Sequence, residues 1–404
     1  MTAIIILLYV ASFLVIWQFV AYPSVMGLIA LLSNSKRKKL SYQPYVSIIV
    51  AAFNEERVIE KRIENLLELD YAKDKYEIIL VDDGSSDNTC QIVEQLIANR
   101  KADSESPLRL VRHEERKGKA SAINLGKQYA LGDILLATDA NSAFDRNVLK
   151  EMMPHFKNPK VGAVGGRYVT SNPGNSLASS ESFYWVLENI MRTGESALES
   201  ACFFNGAIAA WRKGIVEADT QMIGDDLDMA IQIKRAGYKI QYEPRAIVYE
   251  SSATTLVDQV KQRKRTTVST LQCMFKHKAY FLLPRDLYSL VIFPSHKGLT
   301  MLSPFTLSAI PILYIISHNS EVIVPHLIVT VSVFALLLGL LMLLKARLVK
   351  REKGGITSIS SLLRIAYYVL LNEYIILLGW GDFLFGKRSV LWEKAESTRQ
   401  GEPT

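Results

Sequence analysis

Val46-Ser47-Ile48-Ile49-Val50-Ala51 is a run of small and β-branched apolar residues, closed by the polar turn Asn54-Glu55-Glu56. Such a run, bounded by turn formers, reads as a buried strand. A helical pattern follows at once, with Val58, Ile59, Ile63, Leu66 and Leu67 spaced to share one face. The unit then recurs. Glu77–Val81 is strand-like and ends in Asp82-Asp83-Gly84, and Ser86 or Asp87 is placed to cap a helix carrying Ile92, Val93, Leu96 and Ile97. Leu108–Val111 precedes a helix over Ala120–Ala130, and Ile134–Ala137 is a fourth strand ending at Asp139. This alternation implies an α/β fold, a mostly parallel sheet with helices on both faces. Ligands of such sheets bind beyond the carboxyl ends of the strands. Asn54-Glu55-Glu56, Asp82-Asp83 and Asp139-Ala140-Asn141 are therefore expected to converge on one edge. No GxGxxG follows the first strand, so a dinucleotide-binding fold is poorly supported.

Outward from this core the composition changes. The chain has 404 residues, 49% of them apolar, and no Asp, Glu, Lys or Arg in residues 1–35, 298–320 or 322–344. Each stretch exceeds the roughly 20 residues that cross a bilayer as a helix. The expected organisation is an N-terminal transmembrane anchor over 1–35 and a cytoplasmic domain over 36–270. Interfacial helices over 271–297 and a two-helix transmembrane hairpin over 298–344 follow. Residues 345–404 hold a basic loop, a third apolar segment (interfacial, re-entrant or spanning) and a tail. Lys36-Arg37-Lys38-Lys39 after the first run, and Lys345, Arg347, Lys350, Arg351 and Lys353 after the third, place the central domain in the cytoplasm by the positive-inside rule. An integral protein of the plasma membrane is expected. The net charge of +7 gathers partly beside apolar runs, which fits membrane lipid and not nucleic acid. Cys90, Cys202 and Cys273 lack CxxC spacing and read as reduced thiols. A small secreted module, a disordered chain and a purely cytosolic protein are excluded.

Each polar cluster has two readings. Asp82 and Asp83 either accept hydrogen bonds from a base or ribose or simply shape a turn. Asp139 and Asn141 offer two oxygens suited to Mg²⁺ or Mn²⁺ shared with phosphate, or form another turn. Asp225, Asp226 and Asp228 favour a helix start, yet their crowding would raise one pKa enough to make a base. Lys261-Gln262-Arg263-Lys264-Arg265 is a diphosphate clamp or a lipid-facing basic face, with Lys117-Gly118-Lys119 a second phosphate-directed element. His113 has no spaced partner.

The ordered set resembles family-2 glycosyltransferases: Val46–Glu56, Val81–Asp87, Arg116–Ala120, Thr138–Asn141, the acidic Gly224–Asp228, and Gln262–Arg265 as the start of a QxxRW motif. With its flanking apolar runs the chain is similar to the branch of cellulose, hyaluronan and poly-N-acetylglucosamine synthases. The resemblance implies a GT-A fold, a nucleotide-sugar donor (a UDP-sugar) and a Mg²⁺ or Mn²⁺ cofactor held by Asp139 and Asn141. It assigns Ala51, Glu55, Asp82, Asp83, Lys119 and Asp139 to the donor. Asp226, beside Asp225, becomes the general base of an inverting transfer. Asn205, Gly206, Gln262, Arg263 and Arg265 fall to the acceptor and diphosphate end. The acceptor is lipid-linked or a growing saccharide, and a polymer would need an oligomer or an export partner for its pore. Thr266 stands where the motif has Trp, which weighs against processive synthesis. The alternative is a catalytically silent membrane-anchored protein that binds nucleotide sugars.

Overall fold

All four expected strands form, and they pair in parallel. In the computed structural model, which describes residues 2–33, 42–100, 107–171, 176–251, 255–317, 320–348 and 359–386, these are β1 (Val46–Ala52), β2 (Tyr76–Asp82), β3 (Leu108–Arg112) and β4 (Ile134–Asp139). Lys36–Lys39, Lys350, Arg351, Lys353 and the tail from Lys387 lie outside the described residues. The register sets Ala51 opposite Val81 on one side and Asp139 on the other, and Ala52 opposite Asp82. Register therefore brings the three polar strand ends together.

Beyond β4 come β5 (Ala143–Phe144), β6 (Val161–Thr170), β7 (Ala209–Arg212) and β8 (Lys239–Glu250), giving the order β3-β2-β1-β4-β7-β6-β8-β5. β7 runs antiparallel to β4 and β6, and β5 antiparallel to β8, so the second half of the sheet is mixed. Helices α1 (Thr2–Ile16) and α2 (Tyr22–Ser33) precede the sheet. Within it lie α3 (Ile59–Leu67), α4 (Thr89–Ala98), α5 (Lys119–Tyr129), α6 (Val148–Met152), α7 (Ser176–Leu198) and α8 (Asp225–Arg235). After it come α9 (Leu256–Lys276), α10 (Lys278–Leu282), α11 (Leu299–Ser317), α12 (Ser320–Leu348) and α13 (Ile359–Leu384).

Side chains alternate across a strand, and here both faces are filled. Ile48, Val50, Ile78 and Leu80 pack with Ile59, Ile63 and Val93 on one face, while Ile49, Ile79 and Val81 pack with Ile123, Met229 and Ile233 on the other. All are buried. The expected helices match α3, α4 and α5. Asp87 does not end up as the residue flanking α4, since Asn88 does; its Oδ1 instead accepts the Thr89 N–H at 3.0 Å.

Two helical stretches, Ala3–Ser33 and Tyr288–Ser317, are long and apolar enough to cross a membrane by length and composition. The last part of the stretch expected as interfacial helices, 271–297, continues into the second of them, because π-helical turns at Tyr288–Ile292 and Pro294–Gly298 lead straight into α11. α13 is a single 26-residue helix. The sheet domain is bolted to these helices. α7 crosses α2 so closely at Gly194 that a Cβ there would lie 2.1 Å from the Met26 carbonyl oxygen. Beside that crossing, buried Glu195 accepts the Tyr22 hydroxyl at 2.7 Å and holds His296 Nδ1 at 2.7 Å.

Candidate active site

The site starts from β2. Asp83, just past its end, is buried, and its carboxylate accepts the backbone N–H groups of Lys117 at 2.9 Å and Gly118 at 2.8 Å; His113 Nδ1 lies 2.9 Å away. Gly118 has φ +93°, a conformation that side chains with a Cβ resist, and it ends where α5 begins. Asp83 thus holds the loop that delivers Lys119. Asp82 beside it is also buried and accepts the Ser85 N–H at 3.1 Å.

From the start of α5, Lys119 Nζ donates to Asp139 Oδ1 at the end of β4 and to the Gly206 carbonyl at 3.4 Å. The Gly206 N–H in turn donates to Asp226 Oδ2 at 3.2 Å, and Asp226 Oδ1 accepts the Leu227 N–H at 2.8 Å. Asn205 Oδ1 takes the Ala207 N–H at 2.9 Å and so shapes the turn that presents Gly206. Asp225 and Asp226 occupy the first turn of α8, where the helix dipole favours negative charge. From α9, Arg265 donates to the Ile223 carbonyl at 3.1 Å. These groups line a cleft of about 540 Å³, with Gln262 on the α9 side.

Charges in the cleft are strongly interdependent. Burial raises the Asp225 carboxyl; Lys119 opposes this, and Asp226 and Asp139 add to it. Burial works against the Lys119 ammonium, but Asp139, Asp225 and Asp226 together raise its pKa. Burial lowers the Arg265 guanidinium despite the same three carboxylates.

The structure brings Lys119, Asp139, Asn205, Gly206, Asp225, Asp226, Gln262 and Arg265 to one cleft. Other expected residues stand apart from its lining. Ala51 packs on the core, and Glu55 is buried with its N–H on Thr89 Oγ1 at 2.7 Å. Asp82 and Asp83 lie behind the loop they shape. Arg263 faces the opposite way on α9 and hydrogen-bonds Asn372 and Tyr368 of α13. Asp228, third of the acidic cluster, points into the protein: it accepts from Gln232 at 2.6 Å, Lys276 at 2.9 Å and His277 at 2.7 Å.

A divalent cation is implied by the resemblance, and the donor set fits one in part. Asp139 lines the cleft and Asn141, two residues on, stands outside its lining, while a hard cation that completes its shell with diphosphate oxygens and water needs few protein ligands. Among the described residues no cluster of three His, Cys, Asp or Glu side chains is arranged for a metal. Asn141 donates its amide to Glu250 Oε1 at 3.1 Å, which fixes the amide orientation. Sequence reading missed His113, Glu250 and Asp382, the last of which reaches the cleft from α13. His113 and Glu250 act only through partners distant in the chain.

Residues 47–221 match the Glycosyl transferase family 2 domain, and this segment is a family-2 glycosyltransferase domain with a GT-A fold. The chain is 30% identical over 226 residues to the poly-beta-1,6-N-acetyl-D-glucosamine synthase of Staphylococcus aureus, covering 54% of this chain and 53% of that protein. The Staphylococcus epidermidis protein of the same name is 28% identical over 226 residues, with the same coverage of each chain. The chain spans about half the length of these curated relatives. Its fold also resembles the mannosyltransferase PcManGT of Pyrobaculum calidifontis, solved with GDP-Man and Mn²⁺, at a TM-score of 0.66 and 22% identity over 96% of this chain and 99% of that one.

Proposed function

We propose that the chain is an integral membrane glycosyltransferase of the plasma membrane, its sheet domain cytoplasmic, that moves a sugar from a nucleotide-diphosphate donor to a saccharide acceptor with inversion. The relatives' name points to N-acetylglucosamine as the sugar and to polysaccharide as the product; a UDP-linked donor is the reading carried from the sequence motifs. The observation that carries the proposal is the unbroken run Asp139–Lys119–Gly206–Asp226 across one cleft. It joins a diphosphate-directed cation to a carboxylate positioned as base.

Asp226, oriented by the Gly206 and Leu227 amides, takes the proton of an acceptor hydroxyl as that oxygen attacks C1 of the sugar. The bond from C1 to the nucleotide diphosphate breaks on the opposite side. Lys119 and Arg265 stabilise the charge that builds on the departing diphosphate. Mg²⁺ or Mn²⁺ held by Asp139 and Asn141 would neutralise part of the same charge. Thr266 lines the cleft where the related motif has Trp, so acceptor packing differs from that motif.

The test uses the full chain in detergent with radiolabelled nucleotide sugars, with and without Mn²⁺. Asp226→Asn should lower transfer by about 10²-fold or more while the donor dissociation constant stays within a factor of about two. Wild-type turnover in this variant would overturn the assignment of the base.

A further inference from the structure

Glu195 of α7 divides its carboxylate between two parts of the molecule. Oε1 accepts the Tyr22 hydroxyl at 2.7 Å and holds His296 Nδ1 at 2.7 Å, both supplied by the apolar helical stretches, while Oε2 accepts the Cys202 N–H at 2.9 Å. Cys202 is gripped on its other side too, because the Tyr288 hydroxyl donates to its carbonyl at 2.7 Å. Glu195, Cys202 and Tyr288 are fully buried, so both bonds to Cys202 are costly to leave unmade. The next residue is clasped as well. The Arg192 guanidinium and the Lys297 ammonium lie 4.0 and 3.9 Å from the centre of the Phe203 ring. Tyr22, Tyr288 and His296 all fall outside the matched segment 47–221.

These contacts matter for the cleft because Gly206 follows Cys202 by four residues. Its carbonyl meets Lys119 and its N–H meets Asp226, but the two contacts are unequal. Asp139 holds Lys119 independently. On Asp226 the Gly206 N–H bonds Oδ2, while Oδ1 is taken up by the Leu227 N–H of its own helix. A displaced turn would leave the diphosphate end in place and disturb the base. Resting on the proposed transfer reaction, we infer that Glu195 and Tyr288 are positioning residues: through Cys202 they fix the turn that orients Asp226. The apolar helical stretches thereby set the geometry of the base from outside the sheet domain.

Tyr288→Phe removes one hydroxyl and keeps the ring. In the full chain in detergent, with UDP-linked N-acetylglucosamine as donor, kcat should fall about tenfold while the donor dissociation constant stays within a factor of about two; a 1 Å misplacement costs ~10²-fold. Tyr22→Phe should act in the same direction and more weakly, because His296 remains on the same oxygen. Tyr314→Phe is the control. It deletes a hydroxyl 2.6 Å from His326 Nδ1, at the opposite end of the same helical stretch from Tyr288, and should leave kcat unchanged. Hydrogen exchange read by mass spectrometry adds a measurement without turnover: amides over 201–207 should exchange faster in Tyr288→Phe and not in Tyr314→Phe. Unchanged kcat in both Tyr288→Phe and Tyr22→Phe overturns the inference. So does an equal loss of kcat in Tyr314→Phe, which marks general weakening of the helices, or a loss of kcat in Tyr288→Phe with exchange over 201–207 unchanged. If the wild-type chain binds no nucleotide sugar, it is the transfer reading that fails, and the exchange comparison alone decides whether these helices hold the turn.

Discussion

Asp83 reaches the cleft through the loop before Lys119: its Oδ2 accepts the Gly118 N–H at 2.8 Å and its Oδ1 the Lys117 N–H at 2.9 Å, next to the lysine that touches Asp139. The carboxylate expected to bind nucleotide also braces the loop that carries the cation. Asp83→Ala should therefore release two backbone N–H groups and weaken donor binding by about tenfold or more, each charged hydrogen bond being worth ~1.5–3 kcal/mol. Nucleotide titration of the purified variant checks this, and an unchanged dissociation constant would contradict it.

Gly118→Ala probes the same loop from the backbone. At φ +93° an alanine is strained, and the expected cost is about 1 kcal/mol or more. Donor affinity should fall with stability, because Lys119 moves with the loop.

Asp225 makes a pH prediction. Its carboxyl is raised by burial and by Asp226 and Asp139, against Lys119. Between the unfolded value of about 3.9 and the raised folded value, the native state holds more protons than the unfolded one. Stability then falls as pH rises through that window. Asp225→Asn should be more stable than wild type at neutral pH, the difference vanishing below about pH 4. Thermal midpoints across a pH series measure it, and a destabilised variant at pH 7 would refute it.

Asp228 carries the opposite sign. Burial pushes its carboxyl up, but His277, Lys276 and Gln232 outweigh this and hold it low. The stabilisation is complete above the unfolded value of about 3.9 and is lost as pH falls through the lower folded value. Asp228→Ala, which leaves the buried His277 without its carboxylate and Lys276 with Asp219 alone, should cost ~1–3 kcal/mol at pH 7. Denaturant titration of the full chain in mild detergent would register the loss.

Much of this was legible locally. The four parallel strands and α3 to α5 follow from apolar periodicity, and the register of β1 between β2 and β4 carries their polar ends to one edge. What escaped was decided by distance or by helical phase. Nothing near Asp228 in sequence announces His277, and nothing near Asn141 announces Glu250. Arg263 was grouped with its neighbours in a basic run, whereas on α9 it shares a face with Thr267 toward α13. Gln262, Arg265 and Ser269 share the other face at helical spacing and line the cleft. The mixed half of the sheet was hidden because β7 is only four residues long and pairs with strands separated from it by a 23-residue helix.

The crossing of α7 over α2 limits how the molecule can be handled. Glu195 has Tyr22 and His296 as partners, both supplied by helices outside the sheet. Cutting the gene after the first 33 residues, a common route to a soluble fragment, would strip Tyr22 from that carboxylate and bare the groove around Gly194. Such a fragment should precipitate or misassemble, so biochemistry on this protein has to keep these helices joined to the sheet domain.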